Sequence, residues 1–294
     1  MTTIITDLKN NFRRGNIAVQ LIYINVALFV LTLFLSVLLQ LFNLRMPSFS
    51  EWLGVSASIT TFLMRPWTLV TYMFMHVDFL HILFNMLWLY WFGTLFLQIF
   101  SAKHLRGLYL LGGICGGVLY MLSFNIFPYF HPLIDFSYMV GASASVLAIV
   151  AASAYRLPEY PIQLFLFGTI RLKYLALIVI IVDVLFVTSA NGGGHIAHLG
   201  GALAGLWFAA ALQKGKDVTA WLNKAIDALI ALFDKKEKPR MKVKQGGRRQ
   251  EYDYNARKKE QNAEIDRILE KLKESGYESL TTEEKKSLFD ASKR

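Results

Sequence analysis

From Ile17 to Phe42 the chain carries no charged side chain, and comparable apolar runs recur before residue 213. A helix needs about 20 mostly apolar residues to cross the hydrocarbon of a bilayer. Inside that hydrocarbon every backbone N–H and C=O must be satisfied within the spanning structure, and runs this continuous do so as helices. Spans are expected at about 17–42, 81–100, 105–124, 143–155, 174–188 and 196–212. The fourth and fifth are short, as a helix that begins below the membrane surface would be. Composition agrees, since 54% hydrophobic and 18% charged residues in 294 lie outside the range of ordinary soluble domains. An early signal peptide with a small-residue cleavage site is not seen, so the first segment is expected to stay.

The basic residues divide the chain. Of its 31 Lys and Arg, 21 lie from Lys214 onward, just after the last apolar run, where they read as cytoplasmic anchors rather than as a nucleic-acid surface. No nucleic-acid motif accompanies the net charge of +10. Lys9, Arg13 and Arg14, then Lys103 and Arg106, then Arg156, Arg171 and Lys173, then Lys214 and Lys216 all fall on one side of six alternating helices. The opposite loops hold only Arg45 and Arg65, so both termini are expected in the cytoplasm. Cys115, the single cysteine, lies in an apolar run and allows neither an intrachain disulfide nor a thiolate metal site.

Four parts follow: a cytoplasmic N-terminus (1–15), a six-helix domain (16–213), a basic amphipathic linker (214–250) and a small helical hairpin (251–294). The first long loop, residues 43–75, is rich in Trp, Phe, Leu and Met and suits a segment lying in the interface plane. In the hairpin, Ile265, Ile268, Leu269 and Leu272 share a helical face, Gly276 ends the helix, and Thr281 with Glu284 forms a capping box.

Polar residues in spans face the bundle interior and mark function more often than surface ones. His81 and Asn85, four apart, project from one helical face and can aim two donors at a developing oxyanion, or simply hydrogen-bond a neighbouring helix. His76 is expected to point elsewhere and hold the loop to the helix. His198 heads a stripe of Gly201, Ala202 and Gly205, which lets a neighbouring helix approach closely; a serine there could be activated by the imidazole. Ser143 and Ser145 stand about 200° apart on a helix, so both cannot face one histidine. Ser143 is the better nucleophile, being nearest the helix start and its free N–H groups, with Gly141 permitting a close turn before it. Ser145 is assigned to packing. His195 and His198 resemble a metal pair, but H-x-x-H lacks a third ligand at matched depth, so no metal is expected. Asp183 is tempting as a triad acid, yet it falls near the middle of the fifth span, deeper than the other groups, and structural hydrogen bonding or a protonated state is preferred.

The order FMHVDFLHILFN (His76, His81, Asn85), GASAS (Gly141, Ser143) and AHLGGALAG (His198, Gly201, Gly205) resembles the rhomboid family of intramembrane serine proteases over about residues 15–212. The resemblance implies an all-α membrane protein, a six-transmembrane-helix rhomboid-like bundle with a cytoplasmic C-terminal tail, in a bacterial inner membrane. It implies a Ser143–His198 dyad without an acid, an oxyanion site from His81, Asn85 and the Ser143 N–H, transmembrane proteins as substrates, and no cofactor. Three positions depart from the family pattern: Ala144 stands where Gly is usual, Leu147 where an aromatic often packs on the histidine, and Thr68 follows Trp67 where Arg is common.

Two other readings remain open: a proteolytically inactive rhomboid-like protein that binds membrane helices, and a small transporter using the histidines as a proton relay. The first is disfavoured by the presence of nucleophile, base and both oxyanion side chains, the second by the absence of internal repeats. The tail is expected to contact anionic lipid or a cytoplasmic regulator.

Overall fold

The computed structural model describes residues 4–44, 48–164, 168–233 and 247–292. The chain divides into two compact units, the first reaching Phe233 and the second following it. In the first, helix α1 (Ile4–Arg14) leads to α2 (Ile17–Leu41), which Asn16 caps by accepting the Val19 N–H at 3.1 Å. Only Ala18, Leu21 and Asn25 of α2 are buried; most of its Leu, Val and Phe side chains point outward, as they would toward lipid. Asn25 is tied inward by donating to the Tyr109 hydroxyl (3.1 Å), which itself donates to the Met73 carbonyl (2.9 Å).

The first loop is folded rather than loose. It forms α3 (Phe49–Leu53), β1 (Val55–Ser56), α4 (Ile59–Met64), α5 (Thr68–Thr71) and a 3-10 turn at Tyr72–Phe74. Arg65 donates to the Glu51 carbonyl (2.8 Å) and stacks 4.7 Å over the Trp52 ring, so the cation two residues before Trp67 anchors the loop where Thr68 offers none. Thr68 turns back instead and donates to the Arg65 carbonyl. Arg45 lies outside the described residues.

Next come α6 (Phe79–Leu97), α7 (Ala102–Ile126), a 3-10 segment (Pro128–Leu133), β2 (Tyr138–Met139) and α8 (Ser143–Arg156). Strand β2 pairs antiparallel with β1, Val55 opposite Met139 and Ser56 opposite Tyr138, tying the loop to the segment that leads into α8. A hairpin of β3 (Pro161–Leu164) and β4 (Gly168–Arg171) then precedes α9 (Leu172–Leu185) and α10 (Gly192–Gln213). Among the described residues four helices, α2, α6, α7 and α10, are long and apolar enough to cross a membrane. Helices α8 and α9 have 14 residues each, about 21 Å at 1.5 Å per residue, short of the bilayer core.

The centre is a three-helix contact made by small residues. A Cβ on Gly201 or Gly205 of α10 would collide with the Ala144 or Ala148 carbonyl oxygen of α8, so these helices run parallel with their backbones touching. Helix α7 packs antiparallel on both: a Cβ on Gly116 would meet the Ala144 Cβ at 2.6 Å and the Ala197 carbonyl at 2.8 Å, and one on Gly112 would collide with the Ala148 Cβ. Without side chains between them, backbones approach closely enough for dispersion to hold helices together in lipid, where burial of apolar surface drives little. The methyl of Ala144, the departure from the family pattern, is accommodated by the missing side chain of Gly116. Residues 144–154 of α8 are all buried, although the helix is too short to span.

The first unit extends past the six-helix stretch expected to end at 213. Helix α11 (Ala220–Phe233), read in the sequence as part of the linker, packs against the start of α7. Thr219 and Asn223 fill the space left by Gly107. Arg106 donates to Asn223 Oδ1 (3.0 Å) and pairs with Asp227 (2.7 Å). Of the rest of the expected linker, residues 234–246 lie outside the described residues and 247–250 open the next helix.

The second unit holds α12 (Gly247–Ser275), a 3-10 turn (Tyr277–Ser279) and α13 (Thr282–Ser292). Gly276 adopts φ +77° between the helices. The Thr281 N–H donates to Glu284 (2.8 Å) and the Glu284 N–H to the Thr281 hydroxyl (3.3 Å), closing the capping box. Ile268 and Leu280 are its buried centre, whereas Leu269, expected on the same face, is 46% exposed.

Candidate active site

The polar groups of the spans converge on one cavity of about 1350 Å³, whose lining includes His81, Asn85, Ser143, Asp183 and His198, with Gly141 beside them. Each arrives by a local rule. Asp78 caps α6 by accepting the His81 N–H at 2.8 Å, which fixes His81 in the first turn. Asn85 follows one turn later, 7% exposed, and spends one amide hydrogen on the His81 carbonyl at 2.9 Å. That leaves a second amide hydrogen for another acceptor.

Gly141 has φ +135°, a conformation natural only to glycine. Its N–H donates to the Tyr72 carbonyl (2.9 Å). A Cβ there would lie 2.8 Å from His81 Nε2 and 3.7 Å from Ser143 Oγ, so imidazole and hydroxyl flank the same bare backbone. Ser143 is the first residue of α8, where N–H groups lack intrahelical partners and the helix dipole favours negative charge. Ser145, in contrast, is fully buried with its hydroxyl 3.8 Å from the Met73 sulfur.

His76 is not among the residues that line the cavity. The loop folds back so that its ring meets that of His81 edge-to-face, with centroids 5.0 Å apart. It is 6% exposed, and neither ring nitrogen makes a well-formed hydrogen bond among the described residues. Burial chiefly, with the His81 ring second, pushes its pKa down to about 4.

Asp183 is where the structure departs most from the sequence reading. Helix α9 stops at Leu185, not near Thr188, so Asp183 sits in the last turn rather than mid-span, level with the start of α10. One of its oxygens, Oδ1, accepts from His198 Nδ1 and from His195 Nδ1, both at 2.8 Å. The carboxyl side chain is 4% exposed, and its Oδ2 is buried with no hydrogen-bond partner among the described residues. The last turn of a helix sets an unfavourable dipole against a carboxylate, and the two hydrogen bonds on Oδ1 act against it. The Asp183, His195 and His198 ligand atoms lie within 4.8 Å of one another, supplying the third group that H-x-x-H lacked in the sequence. His195, given no role from its spacing, is thus joined to His198 through a shared acceptor.

Comparison with known proteins falls on the same residues. The rhomboid domain family matches residues 63–215, which hold every side chain just described, and a family of unknown function, DUF6576, matches the second unit at 251–294. A relative, "RHOMBOID-like protein 12, mitochondrial" of Arabidopsis thaliana, is 31% identical over 158 residues, 51% of this chain and 47% of that protein. The chain therefore matches about half the length of that curated relative. Since the family's domain takes up more than half of the chain and encloses the whole cavity-lining set, this membrane-embedded protein belongs to the rhomboid family.

Proposed function

We propose that the protein is an intramembrane serine endopeptidase that hydrolyses peptide bonds in or near the transmembrane helices of partner proteins. The observation that carries this is the parallel, side-chain-free contact of α8 with α10. Ser143 precedes Ala144 by one residue and His198 precedes Gly201 by one turn, and both residues line a single cavity. In this reading Ser143 Oγ attacks the scissile carbonyl carbon and passes its proton to His198 Nε2. His81, the free Asn85 amide hydrogen and the Ser143 N–H hold the resulting oxyanion. Collapse breaks the C–N bond, and His198 returns the proton to the leaving amine. Water, admitted by the cavity, then hydrolyses the acyl-enzyme by the same proton route.

The short α8 supports this reading, because a helix that begins beneath the surface leaves room for water over Ser143. A helical substrate protects its own carbonyls, so small residues at the cut and helix breakers beyond it are the expected preference. In the proposed topology α8 and α9 join the four long helices as six crossings, both termini face the cytoplasm, and the membrane is a bacterial inner membrane. The second unit is assigned a docking role toward anionic lipid or a regulator.

The test is labelling of the purified, detergent-solubilised protein by a fluorescent fluorophosphonate, comparing Ser143→Ala, Ser145→Ala and His198→Ala with the wild type. Labelling lost only in the Ser143 and His198 variants supports the dyad. A well-folded wild type that does not label moves the reading to an inactive rhomboid-like protein that binds membrane helices.

A further inference from the structure

The geometry points to Asp183 as a positioning residue for the base: one carboxylate oxygen holds the His198 and His195 imidazoles by their Nδ1 atoms, so that the protease runs with an acid behind its histidine. This rests on the serine endopeptidase reading and adds a group to it.

Three observations carry the inference. The first is direct contact. Oδ1 is 2.8 Å from His198 Nδ1, a charge-assisted hydrogen bond by distance. The second is tautomer. A carboxylate only accepts, so two donors on one oxygen place N–H on both Nδ1 atoms. Each imidazole then keeps its lone pair on Nε2, the nitrogen a base must offer to a hydroxyl, while the carboxylate stabilises the imidazolium once a proton arrives. The third is the surroundings. Leu147, 5% exposed on the cavity wall, presents no ring to stack on the imidazole, so the Asp183 carboxylate is the polar group that fixes the plane of His198.

His195 has a part in this. Its ring stands nearly perpendicular to that of His198, at 82° with centroids 5.9 Å apart, and reaches the same oxygen from the other side. A second hydrogen bond on the same oxygen strengthens the hold on the carboxylate and fixes its orientation. The titratable groups facing Asp183 are these two histidines of α10; its own helix contributes Lys173 at the far end, paired with Glu159.

The experiment uses the full chain in detergent with two readouts: steady-state cleavage of a model transmembrane substrate from pH 5 to 9, and the downfield proton resonances of histidine Nδ1–H groups. Asp183→Asn keeps the shape but can donate, which favours the wrong tautomer of His198. It is expected to lower kcat about 10²- to 10⁴-fold with KM nearly unchanged, to alter the pH profile, and to remove the downfield signals, which Ser143→Ala retains. Asp183→Glu restores part of the rate, and His195→Gln, which leaves one donor on Oδ1, lowers it less than Asp183→Asn. Wild-type kcat in folded Asp183→Asn overturns the proposal while leaving the protease intact. If that variant does not fold, Asp183→Glu decides: wild-type rate at every pH without the downfield signals also overturns it. Stoichiometric zinc in the purified protein, with activity abolished by a chelator, would make the three residues a metal site and overturn it too. A wild type that shows both signals yet neither labels nor cleaves defeats the endopeptidase reading itself, and with it any part for Asp183 in catalysis.

Discussion

Gly201 lies against Ala144 so closely that a Cβ on the glycine would be 2.7 Å from the Ala144 carbonyl carbon. Helix α8 can stand beside α10 at this distance only because neither helix places a side chain between them. The obstacle a larger residue would meet is backbone, which cannot swing aside as a flexible side chain can.

Gly201→Ala is therefore expected to destabilise the protein by about 1–3 kcal/mol, the usual cost of overpacking. It should slow fluorophosphonate labelling as well, because the methyl pushes His198 away from Ser143. Leu203→Ala on the outward face of the same helix, where Leu203 is 61% exposed, should change neither. Thermal unfolding in detergent and labelling rate, measured on both variants, check this; equal melting would show that the two helices are not held at this spacing.

Gly141→Ala combines strain with a clash. A φ of +135° is unfavourable for alanine, and the methyl would press on His81 Nε2 at 2.8 Å. Strain of this kind costs about 1–3 kcal/mol, so a fall of about ten- to a hundredfold in labelling rate is expected. Retention of the full rate would remove His81 from the neighbourhood of the reacting centre.

The buried His76 makes stability depend on pH. Its native pKa is held down at about 4 against an ordinary 6.5, so between these values the unfolded chain binds the proton and the native state does not. Its contribution is complete above pH 6.5 and is lost as pH falls toward 4. The thermal midpoint of the wild type should drop across that window more steeply than that of His76→Phe, which has nothing to protonate. Parallel slopes would mean that His76 titrates normally.

Two truncations separate the units. Removing residues 234–294 should leave both stability and labelling intact, because the first unit closes at Phe233. Removing 215–294 also takes α11 and with it Thr219 and Asn223 from the side of α7 and the partner of Arg106. A lower melting temperature is expected for this shorter form alone. Equal melting of the two would show that α11 does not brace the bundle.

Much of the site is legible along the chain because it is local. The four-residue spacing of His81 and Asn85, the capping by Asp78, and the stripe below His198 depend only on helical period, and any helix over these residues reproduces them. The break before Ser143 is legible as well, since Gly141 marks the strained turn. Periodicity also finds the long apolar helices, for the bilayer as solvent demands length and continuity. What it could not supply is where α9 ends and which way it leans. A shift of one turn separates an aspartate buried mid-span from one beside His198, and no local signal distinguishes the two. The same holds for His76, whose ring reaches His81 only after the loop folds back, and for α11, whose polar face looks solvated until Gly107 and Arg106 receive it. Sequence alone determined the helices, their faces and the candidate nucleophile and base. Tertiary structure decided that the Asp183 carboxylate meets His198, because such contacts join segments whose separation in the chain carries no period.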